Sequence, residues 1–461
     1  MSSHKVPRPS ELRGNLRRFV LFRLFFNVRF YYPVFTILYL DYGLTLEQFA
    51  ILNLVWALTI VVAEVPSGAL ADIVGRKRLL VFAAFLMFIE MVLLVWVPIG
   101  ASSLLFIVFL FNRICSGLAE AAASGADEAL AYDSLKELGR EDDWPALLEK
   151  VTIVVSVGFF IGMNLGALAY EPNVVNTLLG WIRPGLELDP DTIIRLPIIF
   201  TLFTSCIVII ATIGMKETGK EEAKVAGITI GQRLSQPFVQ VFKAASWTIG
   251  HRFILMVILA ALALDSVARQ FVVLASEYYR IIDIPPAWFG LIGAGMSLLG
   301  MVNAKISKYL VTHHTPCFNF MVLSAILMIG LVGITFTIPW FGVVFAIGCF
   351  IMMGMVAFQS SYYLNKEVDS AHRATVLSFR GLALNLGLGL ASLFYTGLIA
   401  FLKKGMDPAL DAKAIQETVF AKSLISFPLY FLLLFVALVL AWRVLKPSMG
   451  GNSTGCEHPG E

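Results

Sequence analysis

The sequence predicts an all-α membrane protein whose twelve transmembrane helices form two pseudo-symmetric six-helix bundles. Three observations carry that prediction. Of the 461 residues, 58% are hydrophobic and only 15% charged, whereas a soluble globule carries about a quarter charged residues. Apolar stretches near the roughly 20 residues needed to cross hydrocarbon recur along the whole chain. One long polar connection, residues 215–248, divides those stretches into two sets of six.

The spans centre near residues 29, 57, 88, 114, 160, 204, 262, 297, 328, 352, 391 and 433. They predict an N-terminal tail over 1–18, a first bundle over 19–214, a linker over 215–248, a second bundle over 249–446 and a C-terminal tail over 447–461. An even number of spans puts both termini on one side, and the Lys/Arg bias says which. Lys5, Arg8, Arg13, Arg17 and Arg18 lie in the tail. Arg76, Lys77 and Arg78 follow span 2, Lys136, Arg140 and Lys150 follow span 4, and five more lysines and arginines sit in the linker. The opposite side has fewer, chiefly Arg183, Arg195, Arg280 and a cluster from Lys403 to Lys422. The termini are therefore expected in the cytoplasm. The start, "MSSHKVPRPSELRGNLRR", is basic and polar, with no small-residue cleavage site after the first apolar segment, so it reads as a retained tail. The later part of the linker is expected to form an amphipathic helix on the membrane surface. "MNLG" at 163–166 and "LNLG" at 384–387 echo each other across the halves, as parallel repeats do.

Several patterns exclude other chemistry. Five scattered cysteines imply neither a disulfide framework nor a metal cluster. "GMKETGKE" at 214–221 matches the start of a phosphate-binding loop, but it ends in Glu221 and follows a span rather than a strand. His313 and His314 have no further ligands nearby. No cofactor, metal or nucleic acid is expected, and no nucleophile–base constellation points to an enzyme.

The connection between spans 2 and 3 reads "EVPSGALADIVGRKR". Gly68, Leu70, Ala71, Asp72, Gly75, Arg76 and Lys77 follow in order, and the string resembles the signature of the major facilitator superfamily between its second and third helices. The resemblance extends over the whole hydrophobic chain. It implies that the loop latches span 2 to span 11 in the outward-facing state, with a carboxylate ending span 4, here Asp133, completing the cluster. Physically, Gly68 would allow close helix approach, and Asp72 would sit at a helix N-terminus. Gly75 would permit the turn, and Arg76 would fork onto a carboxylate. The matching turn of the second half, "GMVNAKISKYL", lacks the aspartate. Arg113-x-x-x-Gly117 is similar to a motif of proton-coupled members. "GFFIGMNLGA" at 158–167 keeps Gly158, Gly162 and Gly166 of the antiporter motif for helix packing, with Met163 in place of its proline. "EVPSGALAD" and "RATVLS" resemble bacterial drug-efflux-like members.

The family fold implies that helices 1, 4, 7 and 10 line a central cavity, and the deep polar residues fall mostly there. Span 1 carries Arg23, Asn27 and Arg29, span 4 Arg113 and Glu120, span 7 Asp265, Arg269 and Gln270, and span 10 Gln359. Arg113, Glu120 and Asp127 are seven apart and would share one helix face. By helical rise they would descend about 10 Å and about 21 Å toward the cytoplasm. Asp265 and Arg269, four apart, can pair and act as a proton switch. The alternative for each set is a structural ion pair. Glu64 is expected to pack or gate, and Glu90 has no assigned role. The expected substrate/proton path is Arg29, Arg113, Glu120, Asp265, Arg269, Asn27 and Gln359.

These readings describe a monomeric multi-pass transporter of a bacterial inner (plasma) membrane, working by alternating access within the lipid bilayer. The favoured version is proton-coupled efflux of an amphipathic small molecule by antiport. The alternatives are a proton-coupled transporter of an organic anion bound by cavity arginines, and a permease partner of a separate ATPase.

Overall fold

The computed structural model describes residues 8–100, 102–218, 238–239, 241, 243, 245–368, 370–407 and 411–445, without the side chains of Ala69, Asp72, Ser297, Leu298, Met301, Ser370, Ala371 and Ala374. The first half runs α1 (Pro9–Asn27), a 3-10 turn (Tyr32–Val34), α2 (Phe35–Asp41), α3 (Leu46–Val74), α4 (Arg76–Trp96) and α5 (Ser103–Ala123). It continues with α6 (Ala126–Glu137), α7 (Trp144–Ala169), α8 (Pro172–Ile182) and α9 (Pro190–Gly214). The second half runs α10 (Arg252–Val273), α11 (Ala275–Ile281), α12 (Pro286–His313), α13 (Pro316–Ile334) and α14 (Val343–Glu367). It ends with α15 (Ser370–Lys404), α16 (Ala412–Ser423) and α17 (Ser426–Leu445). Pairing α1 with α2, α5 with α6, α10 with α11 and α16 with α17 gives twelve crossings, and α8 lies between the fifth and sixth. Among the described residues, ten helical segments are long and apolar enough to span a membrane.

Residues 9–18 are already helical, because Pro9 suits a first turn and Glu11 accepts from the Arg8 backbone N–H at 2.8 Å. Most of the linker and the C-terminal tail lie outside the described residues, as does most of the expected surface helix.

The breaks have local causes. Pro33 cannot donate to the carbonyl of Arg29, so span 1 ends one helix at Asn27 and starts another at Phe35. Pro428 does the same to the Leu424 carbonyl between α16 and α17. In span 4 the chain turns at Ser124–Gly125, where Gly125 has φ +75°, a left-handed conformation that glycine adopts without strain.

The distribution of the apolar core sets the shape. One large cluster joins both halves on the side away from the termini, from Tyr31–Leu52 and Phe109 to Phe271, Phe289, Met352 and Phe427. On the termini side the core divides. Phe22, Leu80, Ala119 and Val208 form one cluster within the first bundle, and Ile254, Val311, Tyr363 and Val376 form another within the second. Two bundles fused at one end and split at the other make a wedge. Span 2 against span 11 and span 5 against span 8 form its seams.

Polar contacts reinforce the fused end. The Thr36 hydroxyl donates to the Val273 carbonyl at 2.5 Å, an acceptor freed by the break at Leu274, and the Ser276 hydroxyl accepts from the Thr36 N–H at 2.9 Å. Arg280 meets Asp41 and Glu277, each at 2.6 Å, and Tyr170 donates to Asp41 at 2.7 Å. Lys403 reaches Glu47 at 3.5 Å.

Candidate functional site

The wedge encloses a cavity of about 450 Å³. Its wall comes from the end of α1 (Phe22, Arg23, Phe26, Asn27), the middle of α3 (Trp56, Ile60, Glu64), and the α5–α6 junction from Glu120 to Glu128. The second bundle supplies Asn385. Gly117 is what lets α5 lie this close to α3, since a Cβ there would sit 2.8 Å from Thr59. The expectation that helices 1, 4, 7 and 10 share the lining is therefore corrected. Helices 1, 2 and 4 form almost all of this cavity, and from the second bundle it is Asn385 of span 11 that reaches it.

Four carboxylates face this space with one guanidinium. Arg23 bridges Asp127 at 3.1 Å and Glu128 at 2.8 Å, and Asp127 also accepts from the Glu128 backbone N–H at 2.7 Å. Among the described residues, Glu64 and Glu120 have no ion-pair partner; Glu64 lies near Glu120, and Glu120 lies near Arg29, Glu90 and Arg23. Asn27 lines the cavity and donates to the Arg23 carbonyl at 2.7 Å. The turn at Ser124–Gly125 also corrects the single-stripe expectation. Arg113 and Glu120 share α5, but Asp127 begins a separate helix and reaches the cavity through that turn.

The other expected path residues are held behind the wall. Arg29 leaves the helix at the break in span 1 and forms a buried pair with Glu90 on α4, the two being 3% and 1% exposed. That gives Glu90 the partner its sequence context left open. Arg113 donates to Asn53 at 2.8 Å, and its guanidinium lies 4.7 Å from the Phe35 ring centroid, 5.3 Å from Tyr39 and 5.9 Å from Trp56. Asp265 and Arg269 pair at 2.7 Å, in keeping with their spacing, and Arg269 also donates to Asn385 at 3.2 Å. Arg269 therefore touches the cavity only through that asparagine. Gln359 is fully buried, with neither amide atom hydrogen-bonded. Among the described residues, no three of His, Cys, Asp and Glu converge as a metal site.

The loop between spans 2 and 3 is built as a tight turn. Gly75 has φ +104°, and Arg76 pairs with Asp133. Both belong to the first bundle, so this pair does not itself cross to span 11. Asp72 is helical, but its side chain lies outside the described residues. Among the described residues a Cβ at Gly68 would meet nothing within 4 Å, so the close approach expected there is not seen. Sequence reasoning missed Glu217, which accepts from the backbone N–H groups of Arg76 at 2.9 Å and Lys77 at 3.1 Å, capping α4 from the linker. Partial burial pushes its carboxyl above the ordinary value. Gly158, Gly162 and Gly166 face span 1. Added Cβ atoms would lie 2.1 Å from Leu24, 2.4 Å from Val28 and 1.7 Å from the Phe30 carbonyl oxygen.

The sequence profile of the Major Facilitator Superfamily matches residues 19–392. The chain belongs to this superfamily. It is a membrane transporter rather than an enzyme, and its twelve crossings form the superfamily's two six-span bundles. No curated relative matches the sequence. Among solved structures, the chain is similar to the nucleoside transporter NupG, with 14% identity, a TM-score of 0.66, and coverage of 94% of this chain and 99% of that one. A bacterial homolog of the human lysosomal transporter Spinster, inward-facing and occupied, shares 14% identity and a TM-score of 0.66, covering 97% and 100%. The E. coli xylose transporter XylE, in a partially occluded inward open conformation, shares 14% identity and a TM-score of 0.57, covering 94% and 99%.

Proposed function

We propose that this superfamily member is a proton-coupled antiporter that exports an amphipathic small molecule, with Glu64 and Glu120 as the groups that exchange proton for cargo. One observation carries the reading: two carboxylates without ion-pair partners face a cavity whose opposite end is sealed. Glu120 is exposed and Glu64 half-buried in the open cavity; when rocking of the bundles takes such carboxylates from water, each needs a proton or another compensating group. If proton and cargo compete for the same carboxylates, the two cross the membrane in opposite directions. An inward proton gradient then drives export.

In this reading the chain works as a monomer in a bacterial inner membrane with both termini in the cytoplasm, so the cavity opens inward. Rocking of the bundles would exchange the contacts at Asp41–Arg280 and Thr36–Ser276 for contacts around Arg76. The organic-anion alternative loses ground because Arg29 is paired with Glu90, Arg269 with Asp265, and Arg113 is held by Asn53 and aromatic rings. A separate ATPase is not needed when the cavity carries its own proton acceptors.

The test is proton loss from the acidic lumen of proteoliposomes containing a trapped pH-sensitive dye, with the termini facing outward, measured as amphipathic compounds are added outside. Compound-dependent proton movement that is lost in Glu120→Gln supports the reading. Wild-type movement in the Glu64→Gln/Glu120→Gln double variant overturns it.

A further inference from the structure

We infer, resting on that transport reading, that the cavity selects organic cations, compounds carrying positive charge on an apolar body. The polar wall is charged in one direction. Arg23 is already shared between Asp127 and Glu128, which leaves that trio net negative, and Glu64 and Glu120 add two further carboxylates without basic partners among the described residues. Glu120 is exposed in the cavity and Glu64 half-buried, and a cation entering the cavity is drawn to both by Coulomb attraction. An anion meets net repulsion, since the Arg23 guanidinium on the wall is outnumbered by four carboxylates.

The sequence alone does not give this sign, because its deep arginines and deep acids nearly balance. Tertiary packing separates them. Arg29 is neutralised by Glu90, and Arg269 by Asp265. Arg113 is covered by aromatic rings and Asn53. Arg380, near the Asp265–Arg269 pair, points its guanidinium at the Ala357 carbonyl, 3.4 Å away, and is not part of the wall. Of the deep ionisable groups, Glu64, Glu120, Asp127 and Glu128 stay on the wall with only Arg23 among the basic ones.

The rest of the cavity suits the body of such a molecule. Trp56 gives it an aromatic surface, backed by the buried rings of Phe22 and Phe26. Its volume of about 450 Å³ lies within the roughly 300–1,000 Å³ of pockets that hold drug-sized ligands.

The experiment compares two flat aromatic probes of opposite charge, ethidium and fluorescein, by fluorescence polarisation on the purified full-length protein in detergent with no gradient. Ethidium is expected to bind at least about tenfold more tightly than fluorescein. Glu64→Gln and Glu120→Gln should each weaken ethidium about tenfold or more, a change of about 1.4 kcal/mol or more, with unchanged elution and melting. Glu120→Asp, which keeps the charge, should retain binding. Ethidium affinity no better than that of fluorescein overturns the inference, as does wild-type ethidium affinity in the double Gln variant. Cation selectivity without proton-driven flux supports the cation assignment and defeats proton coupling. Proton-driven flux of an anionic cargo does the reverse.

Discussion

Breaking the Arg29–Glu90 pair from one side should destabilise the protein far more than removing it whole. The two side chains are 3% and 1% exposed, so neither charge retains water when its partner is gone. The pair is not fully satisfied either, since Arg29 Nε and Glu90 Oε2 have no hydrogen-bond partners. Its attraction therefore only partly offsets the cost of dehydrating both ions. Truncating one partner of such a pair costs about 3–5 kcal/mol, while replacing both with apolar side chains of similar size is near neutral or stabilising. Glu90→Gln and Arg29→Met should each fall in that range, and Arg29→Met/Glu90→Met should recover most of the loss. Thermal unfolding in detergent, followed with a thiol-reactive dye, reads this directly, because Cys115 and Cys349 are 2% and 0% exposed in the folded protein. The reasoning is refuted if Glu90→Gln melts with wild type while abolishing transport, which would return Arg29 to the transport path. It is equally refuted if the double variant is no more stable than either single one.

Three further outcomes follow from the same geometry. Asp41→Asn removes the charge and one of the two oxygens by which Asp41 accepts from Arg280 and Tyr170. Loss of charged hydrogen bonds worth about 1.5–3 kcal/mol each should raise labelling of a cysteine placed at Thr36 by an impermeant maleimide about tenfold or more, and unchanged labelling would show that this end is held shut by packing alone. Gly166→Ala puts a methyl 1.7 Å from the Phe30 carbonyl oxygen, so α7 must move off span 1. Yield of monodisperse protein should fall sharply, whereas Gly180→Ala, with nothing within 4 Å, should behave as wild type. Glu217→Ala should cost about 1 kcal/mol through loss of the helix cap, seen as a lower melting temperature, and an unchanged melting curve would argue that water caps α4 equally well.

Features that depend on composition or on residues within one helical turn were legible in the sequence. The twelve crossings follow from apolar length, and the family resemblance from a contiguous string in one loop. Asp265 and Arg269 are four apart, so the helix itself brings them together. The glycines at 158, 162 and 166 fall on one face by the same rule. Nothing local, however, tells Arg29 that its partner is Glu90, 61 residues away, or gives α4 a cap 141 residues away in Glu217. The turn at Ser124–Gly125 also escaped, because a serine–glycine pair inside an apolar pattern is compatible with a continuous helix.

The sequence by itself determined that this chain crosses a membrane twelve times in two related halves, and which ionisable groups lie at depth. Hydrophobic length and helical period are properties of the chain, and lipid reads them span by span. Only the tertiary structure decided which of those groups face the cavity. The sign of the cavity's charge depends on which acids meet arginines across helix interfaces, and those meetings are set by how whole helices break, pack and fuse at one end of the wedge.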